Sequence, residues 1–174
     1  MTTMRHRVGG TLLLLASVAV LTAGAVSAAS PRGLRPGKQP PDFSAPDLTG
    51  AAQSLRAYRG KMVVLHFWAT WCPYCRNEIP KLKEIQSRWG AKQVKILTVS
   101  VDEDLAKLQQ FVKDQQLPYT VLWEGQAEDT ISDLYGVAGL PTTYLIGKDG
   151  LVLNRVSGAA DLVGMVQHAV EAGS

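Results

Sequence analysis

The sequence predicts an α/β domain, with a mixed, mainly parallel central sheet covered by helices on both faces. Three observations carry that expectation. Met62 to Trp68 is apolar except at His66, the pattern of a central strand covered on both sides. Behind it Ile79, Leu82, Ile85 and Trp89 recur at helical spacing, with Lys81, Lys83, Glu84 and Arg88 mostly on the other side. Strand-like and helix-like stretches then keep alternating, which favours parallel strands joined by crossover helices.

Taken in order, the chain opens on a targeting segment. Arg5 and Arg7 precede an apolar core from Leu12 to Ala25, and Val26-Ser27-Ala28 offers small residues where a signal peptidase reads. The run from Val8 to Ala29 is also long enough to anchor in a bilayer. Either version carries the body outside the cytoplasmic membrane and leaves the arginines inside. The expected organisation is a leader over 1–29, signal peptide or N-terminal membrane anchor, then a Pro/Gly-rich linker over 30–41, then one domain over 42–174.

Within that domain Phe43 to Leu48 and Gln53 to Leu55 form a short hairpin around Thr49-Gly50. After the strand at Met62, Pro73 suits the first turn of a helix, where its missing N–H is not needed, and Pro80 should kink that helix. Val94 to Val101 is a second buried strand. Asp102-Glu103-Asp104 caps the next helix, which runs to about Gln116 with Leu105, Leu108, Phe111 and Val112 inward. Tyr119 to Trp123 is a third strand, and Glu128 to Tyr135 a helix ended by Gly136. Thr142 to Ile146 and Leu151 to Val156 pair around Lys148-Asp149-Gly150, and Asp161 caps a last helix through Ala172.

The formal charge of +3 comes from 18 basic and 15 acidic side chains, and Arg5 and Arg7 supply two of the basic ones. The body is therefore near neutral and gives no electrostatic reason to bind nucleic acid. The chain has only two cysteines, Cys72 and Cys75, at the junction of the first long strand and its helix. That spacing suits thiol–disulfide exchange, in which one sulfur attacks and the other resolves. A bridge closing so short a loop removes little entropy from the unfolded chain, so a purely structural role is disfavoured. His6, His66 and His168 are scattered without ligand spacing, and no metal site is expected. No cofactor is expected either.

Trp71-Cys72-Pro73-Tyr74-Cys75, downstream of Val63 to Trp68, resembles the thioredoxin superfamily. More narrowly the chain is similar to the membrane-tethered or secreted bacterial branch of ResA-, TlpA- and CcmG-like thiol–disulfide oxidoreductases. The likeness covers roughly residues 40–172 and rests on Pro41-Asp42-Phe43, Pro46-Asp47-Leu48, Gly60-Lys61, Phe67 to Cys72, Glu78, Pro80 and Gly136 to Thr142. It implies a thioredoxin-like fold with an N-terminal hairpin, and a central strand–helix insertion at about Val94 to Gln116. It also implies a Cys72–Cys75 disulfide in the oxidised protein, with Cys72 the exposed nucleophile and Cys75 the resolving thiol. Pro141 matches the family's cis-proline; the plainer alternative is a residue that simply opens a strand. Glu78 matches the branch's acidic residue beside the site, or else is a solvated helix glutamate paired with Lys81. Trp71 lines the exposed surface, Trp68 fills core, and Pro73-Tyr74 is the dipeptide that helps set redox potential.

His66 departs from the pattern, since thioredoxins carry Asp there and the ResA-like branch often Asn. It is either a base that takes the Cys75 proton or a packed, hydrogen-bonded core histidine.

The resemblance implies reduction of protein disulfides, with apocytochrome c among the expected partners and a membrane electron donor for re-reduction. The alternatives are a disulfide-forming oxidant and a redox-inactive binding module. Cys72-Pro73-Tyr74-Cys75 also matches glutaredoxins, but the leader and flanking tryptophans do not fit them. A peroxiredoxin-type peroxidase is disfavoured because its threonine and proline positions hold Ala69 and Leu65.

Overall fold

The computed structural model describes residues 33–125 and 130–173. The leader expected over 1–29 and the start of the helix expected at Glu128 lie outside the described residues. Among the described residues no helix is long and apolar enough to cross a membrane.

A two-stranded antiparallel sheet comes first, β1 (Ser44–Pro46) with β2 (Ala52–Ser54), followed by a 3-10 turn at Leu55–Tyr58. The main sheet holds β3 (Met62–Trp68), β4 (Val94–Ser100), β5 (Thr120–Trp123), β6 (Thr142–Ile146) and β7 (Val152–Ser157). The helices are α1 (Pro73–Trp89), α2 (Leu105–Asp114), α3 (Ile131–Leu134) and α4 (Leu162–Glu171). The strand order is β5-β4-β3-β6-β7. β3 pairs in parallel with β4, and β4 with β5, whereas β6 runs antiparallel to both β3 and β7. Four strands therefore point one way, as the alternation of elements predicts, yet the pairings divide evenly. The reason is that β6 and β7 form a hairpin through the positive-φ Gly150 (φ 79°).

The segment expected as an insertion divides in two. β4 pairs with β3 along its whole length, Met62 opposite Val94 through Trp68 opposite Ser100, so it is integral to the middle of the sheet. α2 leads to the edge of the sheet, where β5 pairs only with β4 among the described strands.

Every residue of β3 is buried, which accounts for its unalternating sequence. Met62 and Val64 face α1 and α4 and pack with Leu82, Ile85, Leu162 and Val166. Val63, Leu65 and Phe67 face the other layer, with Leu55, Ile131, Tyr135 and Tyr144. Each fully buried Leu, Ile or Phe contributes on the order of 1.5–3 kcal/mol. Phe67, Tyr135 and Tyr144 meet with ring centroids 5.4–6.3 Å apart.

The linker expected up to residue 41 is, over 33–41, laid along the domain. Gly37 N–H donates to the Val152 carbonyl (2.8 Å), and Val152 N–H donates back to Lys38 (2.9 Å). That pairing covers the edge of β7, which would otherwise present free backbone groups. Leu34 N–H donates to the Tyr144 hydroxyl (3.2 Å), and the Tyr135 hydroxyl donates to the Pro41 carbonyl (2.7 Å). Gly33 sits at φ 72°, where an added Cβ would lie 2.6 Å from Arg155 Nε and 2.7 Å from the Tyr144 hydroxyl.

Candidate active site

The site forms where β3 ends in the middle of the sheet and the chain turns into α1. Trp68 is buried and packs its ring against Phe111 of α2 (centroids 5.7 Å apart). Ala69 to Cys72 is a turn closed by Cys72 N–H donating to the Ala69 carbonyl (3.2 Å). Cys72 is the N-cap of α1, and its Sγ accepts from the Cys75 amide at 3.2 Å. A cysteine here stands where Ser or Asp ordinarily caps a helix, so its sulfur meets both an unpaired amide and the positive end of the helix dipole. Pro73 takes the first helical position, and α1 continues through Pro80 to Trp89.

Cys72 and Cys75 are joined by a disulfide with Cα atoms 5.3 Å apart. Cys72 was expected to be exposed. In the disulfide form it is only 5% exposed and Cys75 1%, because the sulfurs bond each other among Trp68, Ala69, Leu108 and Val121. What faces solvent beside them is Trp71 (65% exposed) and Tyr74 (64%). The Leu140–Pro141 peptide is cis, and Leu140 packs against the cluster that holds both cysteines. β6 begins at the next residue, Thr142, so Pro141 also opens a strand.

One turn below Cys75, Glu78 points inward and is 1% exposed. The solvated Glu78–Lys81 pair considered from the sequence does not form. Both side chains instead bind the Ala160 backbone: Glu78 Oε1 accepts from Ala160 N–H (3.1 Å), and Lys81 Nζ donates to the Ala160 carbonyl (2.7 Å). Glu78 Oε2 has no hydrogen-bond partner among the described residues and lies 3.8 Å from His66 Nδ1. Burial raises the Glu78 pKa, against the opposing pull of the Ala160 amide and the Lys81 charge.

His66 is buried on β3 with its Nδ1 2.8 Å from Thr143 Oγ1. Burial pulls the imidazole down to about 3, so it is uncharged at neutral pH and its contact with Glu78 is not an ion pair.

Asp102 is the residue that sequence reasoning misplaced. It was expected to help cap α2, but Asp104 does that alone, accepting from Lys107 N–H at 3.1 Å. Asp102 turns back toward β3 and binds Thr70, 32 positions earlier, which no local sequence signal marks.

Residues 36–155 match the family described as AhpC/TSA. The thiol–disulfide oxidoreductase ResA of Bacillus thuringiensis subsp. konkukian (strain 97-27) is 38% identical over 122 residues, 70% of this chain and 69% of that protein. ResA of Geobacillus thermodenitrificans (strain NG80-2) is 36% identical over 132 residues, 76% and 75% of the two chains. Among solved structures, a thiol:disulfide interchange protein of the thioredoxin family from Chlorobium tepidum TLS superposes with a TM-score of 0.69 at 28% identity. It covers 79% of this chain and 98% of that one. A secreted Mycobacterium tuberculosis disulfide oxidoreductase homologous to E. coli DsbE gives 0.63 at 28% identity, over 75% and 95%.

Proposed function

Because the chain belongs to the AhpC/TSA family and is a thiol–disulfide oxidoreductase of the ResA/DsbE type, we propose that it reduces protein disulfides outside the cytoplasmic membrane. The observation that carries this reading is the Cys72–Cys75 disulfide at the N-terminus of α1, beside a cis-proline and a buried carboxyl.

In the reduced protein Cys72 is the attacking group. Its thiolate is favoured by the Cys75 amide and the end of the helix. Attack on a substrate disulfide forms a mixed disulfide at Cys72 and releases one substrate thiolate. Cys75 then attacks Cys72 Sγ, closes the Cys72–Cys75 bond and frees the second substrate thiol, so two electrons pass to the substrate. Cys75 must lose its proton for that step. Glu78, one turn below with an unpartnered oxygen and a raised pKa, is the group that takes it. His66 lies 3.8 Å from Glu78 Oε2 with its Nδ1 already against Thr143, and burial makes the imidazole a poor base. Trp71 and Tyr74 form the surface against which a substrate segment lies, with the cis Leu140–Pro141 peptide at the cluster that holds both cysteines.

The leader over 1–29 exports the domain, as signal peptide or anchor, and the working unit is the domain from residue 42 onward together with the 33–41 segment that packs along it. Apocytochrome c is the proposed substrate, with a membrane donor restoring the dithiol. Titrating the Cys72–Cys75 couple against glutathione tests the direction. A potential near the roughly −270 mV of thioredoxin supports a reductant, and one near the roughly −120 mV of DsbA refutes it. Fractionation of cells expressing the full chain tests the location.

A further inference from the structure

Asp102 is 3% exposed, and a buried carboxylate is tolerated only when hydrogen bonds replace its water. Its partners are specific. Thr70 N–H lies 3.0 Å from Oδ2 and 3.2 Å from Oδ1, the Thr70 hydroxyl donates to Oδ1 at 2.6 Å, and the Ser100 hydroxyl donates to Oδ2 at 2.6 Å. Its backbone is held as well, by Asp102 N–H donating to Ser100 Oγ (3.1 Å) and Trp123 Nε1–H donating to the Asp102 carbonyl (2.6 Å). None of these bonds serves α2, whose cap is Asp104. All of the bonds to Thr70 fall inside the turn that delivers Cys72, which is closed by the Cys72 to Ala69 bond.

We infer that Asp102 is a positioning residue of the dithiol site: through Thr70 it clamps the Ala69–Cys72 turn to the end of β4, and so seats Cys72 Sγ on the Cys75 amide. The inference rests on Cys72 being the attacking thiol. Hydrogen bonds to a charged acceptor are among the stronger ones, and they decay with small displacements. A slack turn therefore leaves the Cys72 thiolate less stabilised. The clamp acts by geometry and not by charge. Charge alone would do the opposite, since a nearby carboxylate disfavours a thiolate and its removal would favour one. The other titratable or charged groups around the cysteines, His66 on β3 and Tyr74, Arg76 and Glu78 on α1, stay the same in every variant below.

The test is the pH profile of Cys72 alkylation by iodoacetamide in the full chain carrying Cys75→Ser. Thr70→Val removes the hydroxyl donor while keeping shape, backbone bonds and charge. It is expected to raise the midpoint by about half a pH unit, read as roughly threefold slower alkylation below the midpoint. Asp102→Asn offers one acceptor oxygen to three donors, so its amide faces the Thr70 N–H or hydroxyl. It is expected to raise the midpoint by about one unit, roughly tenfold in rate. Thr70→Ser keeps the donor and is expected to retain the parent midpoint. An unchanged or lowered midpoint in Thr70→Val overturns the inference, even if Asp102→Asn fails to fold. A lowered midpoint in Asp102→Asn overturns it too, as the mark of charge alone. If the parent itself titrates like a free thiol near 8.5, the assignment of Cys72 fails and the clamp falls with it.

Discussion

His66 ties folding stability to pH in a way that can be worked from its surroundings. Burial lowers its pKa from 6.5 to about 3. Between those values the unfolded chain binds a proton that the folded chain does not, so stability rises with pH across that window. The contribution is fully present above pH 6.5 and is lost as pH falls through about 3. Each unit is worth about 1.4 kcal/mol in mid-window and less near either pKa, so about 2 kcal/mol is lost from pH 6.5 to 4.5 and about 4 kcal/mol by pH 3. Glu78 opposes this. Its folded pKa is raised above 4.5, so its contribution is present below 4.5 and is lost as pH rises through the folded value. The two slopes partly cancel in the parent protein. We therefore expect the His66 term to emerge clearly in a Glu78→Gln background. There, urea unfolding of the oxidised protein should show the advantage of His66 over His66→Asn shrinking by about 2 kcal/mol between pH 6.5 and 4.5. Any constant offset from lost packing drops out of that comparison. Parallel stability curves for the two proteins would refute the assignment of a buried, uncharged imidazole.

Three further outcomes are expected. Cys72→Ser abolishes insulin reduction, whereas Cys75→Ser accumulates a mixed disulfide that a non-reducing gel resolves; the reverse pattern would exchange the proposed roles. Glu78→Gln gains stability over the parent as pH rises above 4.5, because the raised pKa makes ionised Glu78 a cost there, and it slows resolution of the mixed disulfide. Urea unfolding at two pH values and stopped-flow reduction check the two halves separately. Tyr144→Phe removes a hydroxyl that donates to the Tyr135 carbonyl (2.6 Å) and accepts from Leu34 N–H and Arg155 Nε (2.9 Å). It should cost about 1–3 kcal/mol in a denaturant titration, with the disulfide potential unchanged.

Much of the framework could be read along the chain because its causes are local. A strand buried on both faces has to be apolar throughout, and Met62 to Trp68 is. A turn that needs positive φ takes glycine, and Gly150 marks the hairpin. The first turn of a helix tolerates proline because its N–H has no partner there, and Pro73 follows Cys72. Two cysteines with only two residues between them need no distant partner, so the dithiol announced itself. The lead-in read differently from its structure, because composition alone does not say whether a Pro- and Gly-rich segment finds a sheet edge to cover.

What surrounds the sulfurs came from packing between distant elements. Glu78 could be read as a solvated helix residue until α1 packed its inner face beside the Ala160 peptide, 82 positions on, and removed it from water. His66 could be read as a base until burial between β4 and β6 took away the hydration its charged form requires. Asp102 could be read as a helix cap until parallel pairing of β3 with β4 brought both strand ends to one place and left Thr70 as its partner. Local pattern along the chain was enough to pick out the candidate site residues and the elements that bear them. The fold determined their ionisation and aim, because desolvation and hydrogen-bond direction depend on neighbours that are remote in the chain.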